Sequence, residues 1–252
     1  MLEVFILSII QGVTEFLPIS SSSHLILVSE YLSFENRGLQ IDVSLHIGSF
    51  FAVMVYFRKD IINFIINKEL FYKILISSFP VIIAGYLLIK FNLIDSFRSI
   101  RIIGWTTLIF GILLFISDKC DLSKKIKNNF TYKSAILIGI FQIFSLIPGV
   151  SRSGIVITAA RFLNFERYDA AKISFLLSIP TLAGVSIYGC YKISYSNNFD
   201  FSFLNIYAII LAYCFSYLTI KYFLKFIQNF SLTVFFIYRI ILGTILLLIG
   251  YL

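Results

Sequence analysis

Residues 4–28 read VFILSIIQGVTEFLPISSSSHLILV, and residues 134–160 read SAILIGIFQIFSLIPGVSRSGIVITAA. Each is apolar at both ends and broken in the middle by a proline with small polar residues behind it. A spanning helix tolerates one proline. Pro18 followed by Ser20–Ser23, or Pro148-Gly149 followed by Ser151, Arg152 and Ser153, would put several polar groups into lipid. Non-helical backbone survives at that depth only when it is buried in protein or lines a cavity. Both stretches are therefore predicted to be re-entrant helical hairpins, each entering and leaving on one side.

The rest of the chain sets the medium. Only 13% of its 252 residues are charged and 59% are hydrophobic, against about 25% charged in an ordinary soluble domain. That excludes a soluble enzyme and a disordered chain. Crossing about 30 Å of hydrocarbon takes roughly 17 to 25 helical residues. Six stretches approach this: Val43–Phe57, Ile74–Ile89, Ile102–Ser117, Ile173–Tyr191, Phe201–Ile220, and Phe226–Leu252 interrupted by Arg239. The shorter ones can recruit flanking residues whose long side chains snorkel.

The net charge of +8 is spread singly between apolar runs, with no basic face for nucleic acid. Cys120, Cys190 and Cys214 form no metal or disulfide pattern and read as packing residues. The N-terminus carries Glu3 in place of a basic leader and no small-residue cleavage site follows, so it should be retained.

The two broken stretches align at an offset of 130 residues, matching Pro18 with Pro148, Ser21 with Ser151, Ser23 with Ser153 and, further on, Ser44 with Ser174. The expected fold is an all-α integral membrane protein, one polytopic domain over 1–252. Repeat 1 covers about 1–120 and repeat 2 about 130–252, each with one re-entrant hairpin and three spans. An odd number of spans inverts the second half. With loops 58–73, 118–133, 161–172 and 221–225 on one side, that side holds fourteen of the 21 basic residues. The other holds five (Arg37, Lys90, Arg98, Arg101, Lys192), and Arg152 and Arg239 lie at membrane depth. The positive-inside bias then puts both termini outside and the first hairpin opening outward.

In the first hairpin Gln11 and Glu15 share a helix face. Ser20, Ser21, Ser22 and Ser23 fall where the second half-helix begins, with hydroxyls and unbonded N–H groups suited to an anion. His24, three residues past Ser21, would share its face, giving a hydroxyl, a base and an acid within one turn. In the second hairpin Ser151, Arg152, Ser153 and Gly154 occupy the corresponding break, and the Arg152 fork matches phosphate oxygens. Two helix N-termini approaching from opposite sides would point at one anion, a phosphate or diphosphate. Plainer readings stand beside this. The serines also read as helix caps, Glu15 and Arg152 as a structural ion pair, and His46 as either a site residue or a bond to a neighbouring helix. Tyr238-Arg239 reads as a headgroup site or, more simply, as an interhelical bond. No HExxH, P-loop, GxSxG or Cys/His metal spacing occurs.

QGVTEFLPISSSSHLIL and LIPGVSRSGIVIT, with FLLSIP at Phe175–Pro180 and IYRIILG near the C-terminus, resemble the signature regions of the undecaprenyl-diphosphate phosphatase (bacitracin-resistance) family over nearly the whole chain. The resemblance implies a hydrolase of the bacterial plasma membrane that removes the terminal phosphate of a polyprenyl diphosphate to recycle the lipid carrier of the cell envelope. It implies catalytic roles for Glu15, Ser21, His24 and Arg152, with Ser151 and Ser153 lining the pocket. It also implies a divalent cation, Mg²⁺ or Ca²⁺, held at Glu15. Many members carry a second glutamate where this chain has Gln11, a glycine where it has Ser23, and Ala-Thr where it has Ile155-Val156. The expected partners are the lipid substrate and the bilayer, with a homodimer left open. The competing function is a transporter or flippase of a polyprenyl phosphate.

Overall fold

The computed structural model describes residues 1–32, 38–66, 68–93, 95–195 and 202–252. Arg37, one of the cations used to orient the chain, and the side chain of Ser22 lie outside the described residues.

Apart from an isolated bridge between Lys124 and Phe165, every regular element among the described residues is helical. In chain order these are α1 (Leu2–Thr14), α2 (Ser21–Leu32), α3 (Leu39–Tyr56), α4 (Arg58–Ile66), α5 (Lys68–Lys90), α6 (Ile100–Asp118), α7 (Ile126–Asn129), α8 (Tyr132–Gln142), α9 (Arg152–Phe162), α10 (Arg167–Tyr195), α11 (Phe203–Asn229) and α12 (Thr233–Tyr251). Helices α3, α5, α6, α10, α11 and α12 are long and apolar enough to cross a bilayer. Their outer faces carry Phe79, Tyr86, Ile187 and Val234, all more than half exposed. Apolar exposure on that scale suits lipid and not water, and the chain is a multi-pass membrane protein. Helix α1, with 13 residues, is about 20 Å long and falls short of a span. Helix α8 continues as a 3₁₀ turn over Ile143–Leu146 and then stops.

Helices α3, α5, α6 and α10 extend the predicted spans at their polar ends, whereas the sixth span begins at Thr233 and not at Phe226, because α11 runs on to Asn229 and the helix breaks before α12. The largest correction is α11, which runs through Lys221 and Lys225 where a loop was expected over 221–225. Ile220, Phe223, Leu224 and Ile227 are buried along one face there, so the helix still has a core side to bury. Both lysines lie on the exposed side. Two cysteines also depart from expectation. Cys190 and Cys214 are exposed on their helices, and only Cys120 is partly buried.

Phe16, in the break after α1, anchors the core edge-on against Phe175 at 5.3 Å, and Phe175 in turn meets Phe57 and Phe223. Helix α3 packs along α11, α6 along α12, α1 against α11, and α8 against α5. Close approach depends on small residues, as in other membrane bundles. A Cβ at Gly48 would overlap the Ile209 carbonyl and the Ala212 methyl, and Ser49 and Ser216 exchange a 3.0 Å hydrogen bond in the same seam.

One end of the bundle is closed by a polar cluster. Arg161, expected among the loop cations, is completely buried. It donates to the carbonyls of Asp118, Cys120, Asp121 and Phe165, which neutralises the exposed carbonyl end of α6. Asp118 takes two bonds from Arg167, at 2.6 and 3.1 Å, and one from the Leu232 N–H at 3.0 Å. Lys172 pairs with Asp60 at 2.6 Å. These contacts bring the ends of α6, α9, α10, α12 and α4 to the same side. At the opposite end Arg101 donates to the Gly250 carbonyl at 2.6 Å.

Gly48→Val should force α3 off α11 and cost about 1–3 kcal/mol by overpacking. A clearly lowered melting midpoint of the detergent-purified protein is expected, and an unchanged midpoint would show that the seam has room.

Candidate active site

Both helix breaks end in a non-glycine residue with left-handed backbone. Ser20 has φ 76° immediately before α2, and Ser151 has φ 70° immediately before α9, with Gly149 at φ 93° two residues earlier. Each left-handed serine costs about 1–3 kcal/mol, and local bonds offset the strain. Ser151 Oγ accepts from the Gly154 N–H at 3.1 Å, capping α9, and lies 3.1 Å from Ser153 Oγ. Ser153 Oγ donates to the Leu17 carbonyl at 2.7 Å, so one break is tied directly to the other. Ser20 Oγ and Ser23 Oγ are 2.9 Å apart.

The carbonyls left over in the breaks converge on Arg239 of α12, which is fully buried. Its Nε donates to Thr107 O at 3.1 Å, Nη1 to Pro18 O at 3.3 Å and Val150 O at 3.0 Å, and Nη2 to Gly149 O at 2.8 Å. Thr106 Oγ1 takes up the Pro148 carbonyl at 2.6 Å. Gly154 is glycine for space, because a Cβ there would stand 3.0 Å from Arg239 Nη1. Arg239 is therefore the interhelical bond of the two readings the sequence offered.

Beside this anchor lies the polar centre. Arg152 Nη2 meets Glu15 Oε1 at 2.8 Å, and Glu15 Oε2 accepts from Ser21 Oγ at 2.7 Å and Gln11 Nε2 at 3.1 Å. The Arg152 side chain is 14% exposed and that of Glu15 7%, so the pair is mostly buried, with the guanidinium side chain the more accessible of the two. Of the remaining Arg152 nitrogens, Nη1 makes only a long 3.5 Å contact with Ser174 O. The first N–H groups of α2 and α9, unbonded within their helices, add positive potential.

The expected site residues divide accordingly. Gln11, Glu15, Ser21 and Arg152 come together; Ser151, Ser153 and Gly154 build the second break. Ser20 offers its carbonyl to His24. His24 is not on Ser21. Its Nδ1 lies 2.6 Å from Ser20 O and its Nε2 2.5 Å from the Tyr238 hydroxyl. His46 Nδ1 bonds the Asp42 carbonyl of its own helix at 2.7 Å. Tyr238 was read from the sequence only together with Arg239, because nothing in its spacing links it to His24, 214 positions away.

A divalent cation would find few ligands. Among the described residues no three His, Cys, Asp or Glu side chains come together. The fit is limited to Glu15 and the neighbouring Gln11 Oε1, a fully buried oxygen with no hydrogen-bond partner. Hard oxygen donors of this kind suit Mg²⁺ or Ca²⁺ when a ligand's phosphates supply the rest.

Two broken helices that bring a carboxylate, a hydroxyl and a guanidinium together among six helices long enough to span define a membrane protein with a buried polar centre. Residues 4–245 match the family model of the bacitracin resistance protein BacA. The chain is 48% identical over 251 residues to an undecaprenyl-diphosphatase of Pelagibacter ubique (strain HTCC1062), covering 99% of this chain and 98% of that one. It is 42% identical over 259 residues to one from Aliivibrio salmonicida (strain LFI1238), covering 97% and 96%, and 37% identical over 261 residues to one from Jannaschia sp. (strain CCS1), covering 98% of each. The chain belongs to the bacitracin resistance protein BacA family.

Arg239→Met would leave four buried carbonyls without their donor, at about 1–3 kcal/mol each. A drop of many degrees in melting midpoint, or loss of folded protein, is expected, with Arg239→Lys between it and the wild type. A methionine variant as stable as the wild type would show that the breaks hold themselves.

Proposed function

We infer that this chain is an undecaprenyl-diphosphatase, hydrolysing undecaprenyl diphosphate to undecaprenyl phosphate and inorganic phosphate. The observation that carries the reading is the Ser21–Glu15–Arg152 chain of bonds, set between two helix N-termini in a membrane protein whose relatives bear that name. The free edge of Arg152 and the helix N–H groups receive the terminal phosphate and stabilise charge on its equatorial oxygens. Ser21 Oγ attacks the terminal phosphorus and its proton passes to Glu15, the acceptor it already faces. Undecaprenyl phosphate leaves, and water then releases phosphate from Ser21. Glu15, once its proton has left with undecaprenyl phosphate, is the base for that water, and His24, its ring nitrogens engaged by the Ser20 carbonyl and the Tyr238 hydroxyl, is held as a neutral part of the site wall. A divalent cation, Mg²⁺ or Ca²⁺, would be held by Glu15 and Gln11 with the substrate's own oxygens, and when bound it neutralises diphosphate charge. All these groups come from one chain, so the reading needs no homodimer.

The proposed architecture is an inverted repeat in which α1–α2 and α8–α9 are re-entrant hairpins. Its register is 131 residues, one more than the proline match suggested. At that offset the left-handed Ser20 meets the left-handed Ser151, and the fully buried Gln11 meets the fully buried Gln142. Packing repeats as well, since α1 lies on α11 of the second half and α8 on α5 of the first. The termini and the site are proposed to face outward across the bacterial plasma membrane. The polar cluster joining the ends of α6, α9, α10 and α12 supports this by gathering most of the basic segments on the opposite side.

Phosphate release from undecaprenyl diphosphate by protein in detergent with phospholipid tests the reading. Wild type should turn over, chelation should stop it, and Mg²⁺ or Ca²⁺ should restore it. Arg152→Ala and Glu15→Gln should each lose about 10²–10³-fold in kcat. Turnover by Arg152→Ala at the wild-type rate would reject the site. For sidedness, in a background lacking the three native cysteines, Leu2→Cys should react with an impermeant maleimide on intact cells and Lys127→Cys only after permeabilisation. The reverse pattern would invert the topology.

A further inference from the structure

His24 stands in the first turn of α2 and uses both ring nitrogens. A carbonyl can only accept, so the 2.6 Å contact with Ser20 O puts a proton on Nδ1. The neutral ring then has only a lone pair at Nε2, and the Tyr238 hydroxyl 2.5 Å away is its donor. The two rings are nearly parallel, at 14° with centroids 5.8 Å apart. Tyr238 is itself held in place, because the next residue is Arg239, locked on carbonyls of both breaks. The last helix thus sets the imidazole against the same backbone that shapes the serine run. Which ring nitrogen carries the proton is decided by the partner of the other.

We propose that Tyr238 is a positioning residue: its hydroxyl, donated to Nε2 while the Ser20 carbonyl takes the Nδ1 proton, keeps His24 in one tautomer and one orientation beside the Ser21–Glu15 centre. The bearing on turnover rests on the phosphatase reading above. The tautomer itself does not. A hydroxyl on Nε2 also keeps the imidazole lone pair from the Ser21 proton, consistent with Glu15 as the acceptor of that proton.

The test uses Tyr238→Phe, which keeps the ring and its stacking and removes only the donor. Two histidines are present in the chain, so His46→Gln in both backgrounds leaves His24 as the sole source of imidazole signal in a ¹⁵N-histidine-labelled sample. With Tyr238 present, a protonated Nδ1 and a hydrogen-bonded, unprotonated Nε2 are expected. In the Tyr238→Phe background the Nε2 resonance should move to that of an unbonded imine nitrogen, or the tautomers should mix.

In the otherwise wild-type chain, Tyr238→Phe should lower kcat roughly 10-fold or more, with KM within about twofold and an unchanged melting midpoint. His24→Ala/Tyr238→Phe should be no slower than His24→Ala alone. Identical spectra in the two backgrounds would overturn the proposal. So would a spectral change with unchanged kcat, which would leave Tyr238 a purely local contact. If wild type releases no phosphate, the phosphatase reading fails, and the spectra alone decide the Tyr238–His24 arrangement.

Discussion

A helix interrupted at membrane depth frees carbonyl groups that lipid cannot satisfy, and in this protein one guanidinium answers for both interruptions. Arg239 reaches Pro18 in the first break, Gly149 and Val150 in the second, and Thr107 of α6. A lysine has three donors on one atom and could not span that set; the planar fork of arginine can. Burying the charge without a carboxylate is tolerable because four carbonyl dipoles point at it. Every other feature of the centre inherits its position from this arrangement. The Ser153 bond to Leu17, the left-handed serines and the Tyr238 contact all require the breaks to be held a fixed distance apart.

The functional centre adds a second link between the halves, of a different kind. Glu15 and Arg152 come from the two hairpins and are mostly buried. Removing either alone would leave an unpaired charge, about 3–5 kcal/mol in comparable buried pairs. The pair also brings opposing requirements into one site. In the proposed mechanism Arg152 balances the carboxylate that accepts a proton, while its more weakly bonded side, with only a 3.5 Å contact to Ser174 O, receives the phosphate. The sequence posed a structural ion pair and a catalytic constellation as alternatives; the structure shows the ion pair, and the proposed mechanism uses that same contact. Arg239 is saturated by carbonyls and builds; Arg152 is undersaturated and can bind.

Much of this was legible in the sequence because lipid leaves the chain few options. The six apolar stretches correspond to six helices long and apolar enough to cross a bilayer, and the two proline-serine interruptions mark where Glu15, Ser21 and Arg152 come together. Helix ends were less legible. Lys221 and Lys225 looked like a loop because charge marks an interface, yet their stems run along a helix whose other face is core. Arg161 was counted as a surface cation because a sequence cannot show which carbonyls a guanidinium will find. The same limit hid the role of Tyr238, whose partner lies at the far end of the chain. Spacing alone paired Ser21 with His24. Glu15, six residues back but across a non-helical turn, was the nearer partner, because the left-handed Ser20 redirects the chain just before Ser21.

The central claim is that Ser21 and Glu15 act as one unit in phosphoryl transfer. It is tested most directly by a double-mutant cycle on kcat/KM with Ser21→Ala, Glu15→Gln and the combined variant, each assayed as folded protein below its own melting midpoint. If the serine is activated through the carboxylate, either single change removes most of the activity and the double variant is scarcely slower than the slower single one. Independent losses that multiply in the double variant would contradict the account, and would mean that the 2.7 Å bond between them is architecture alone.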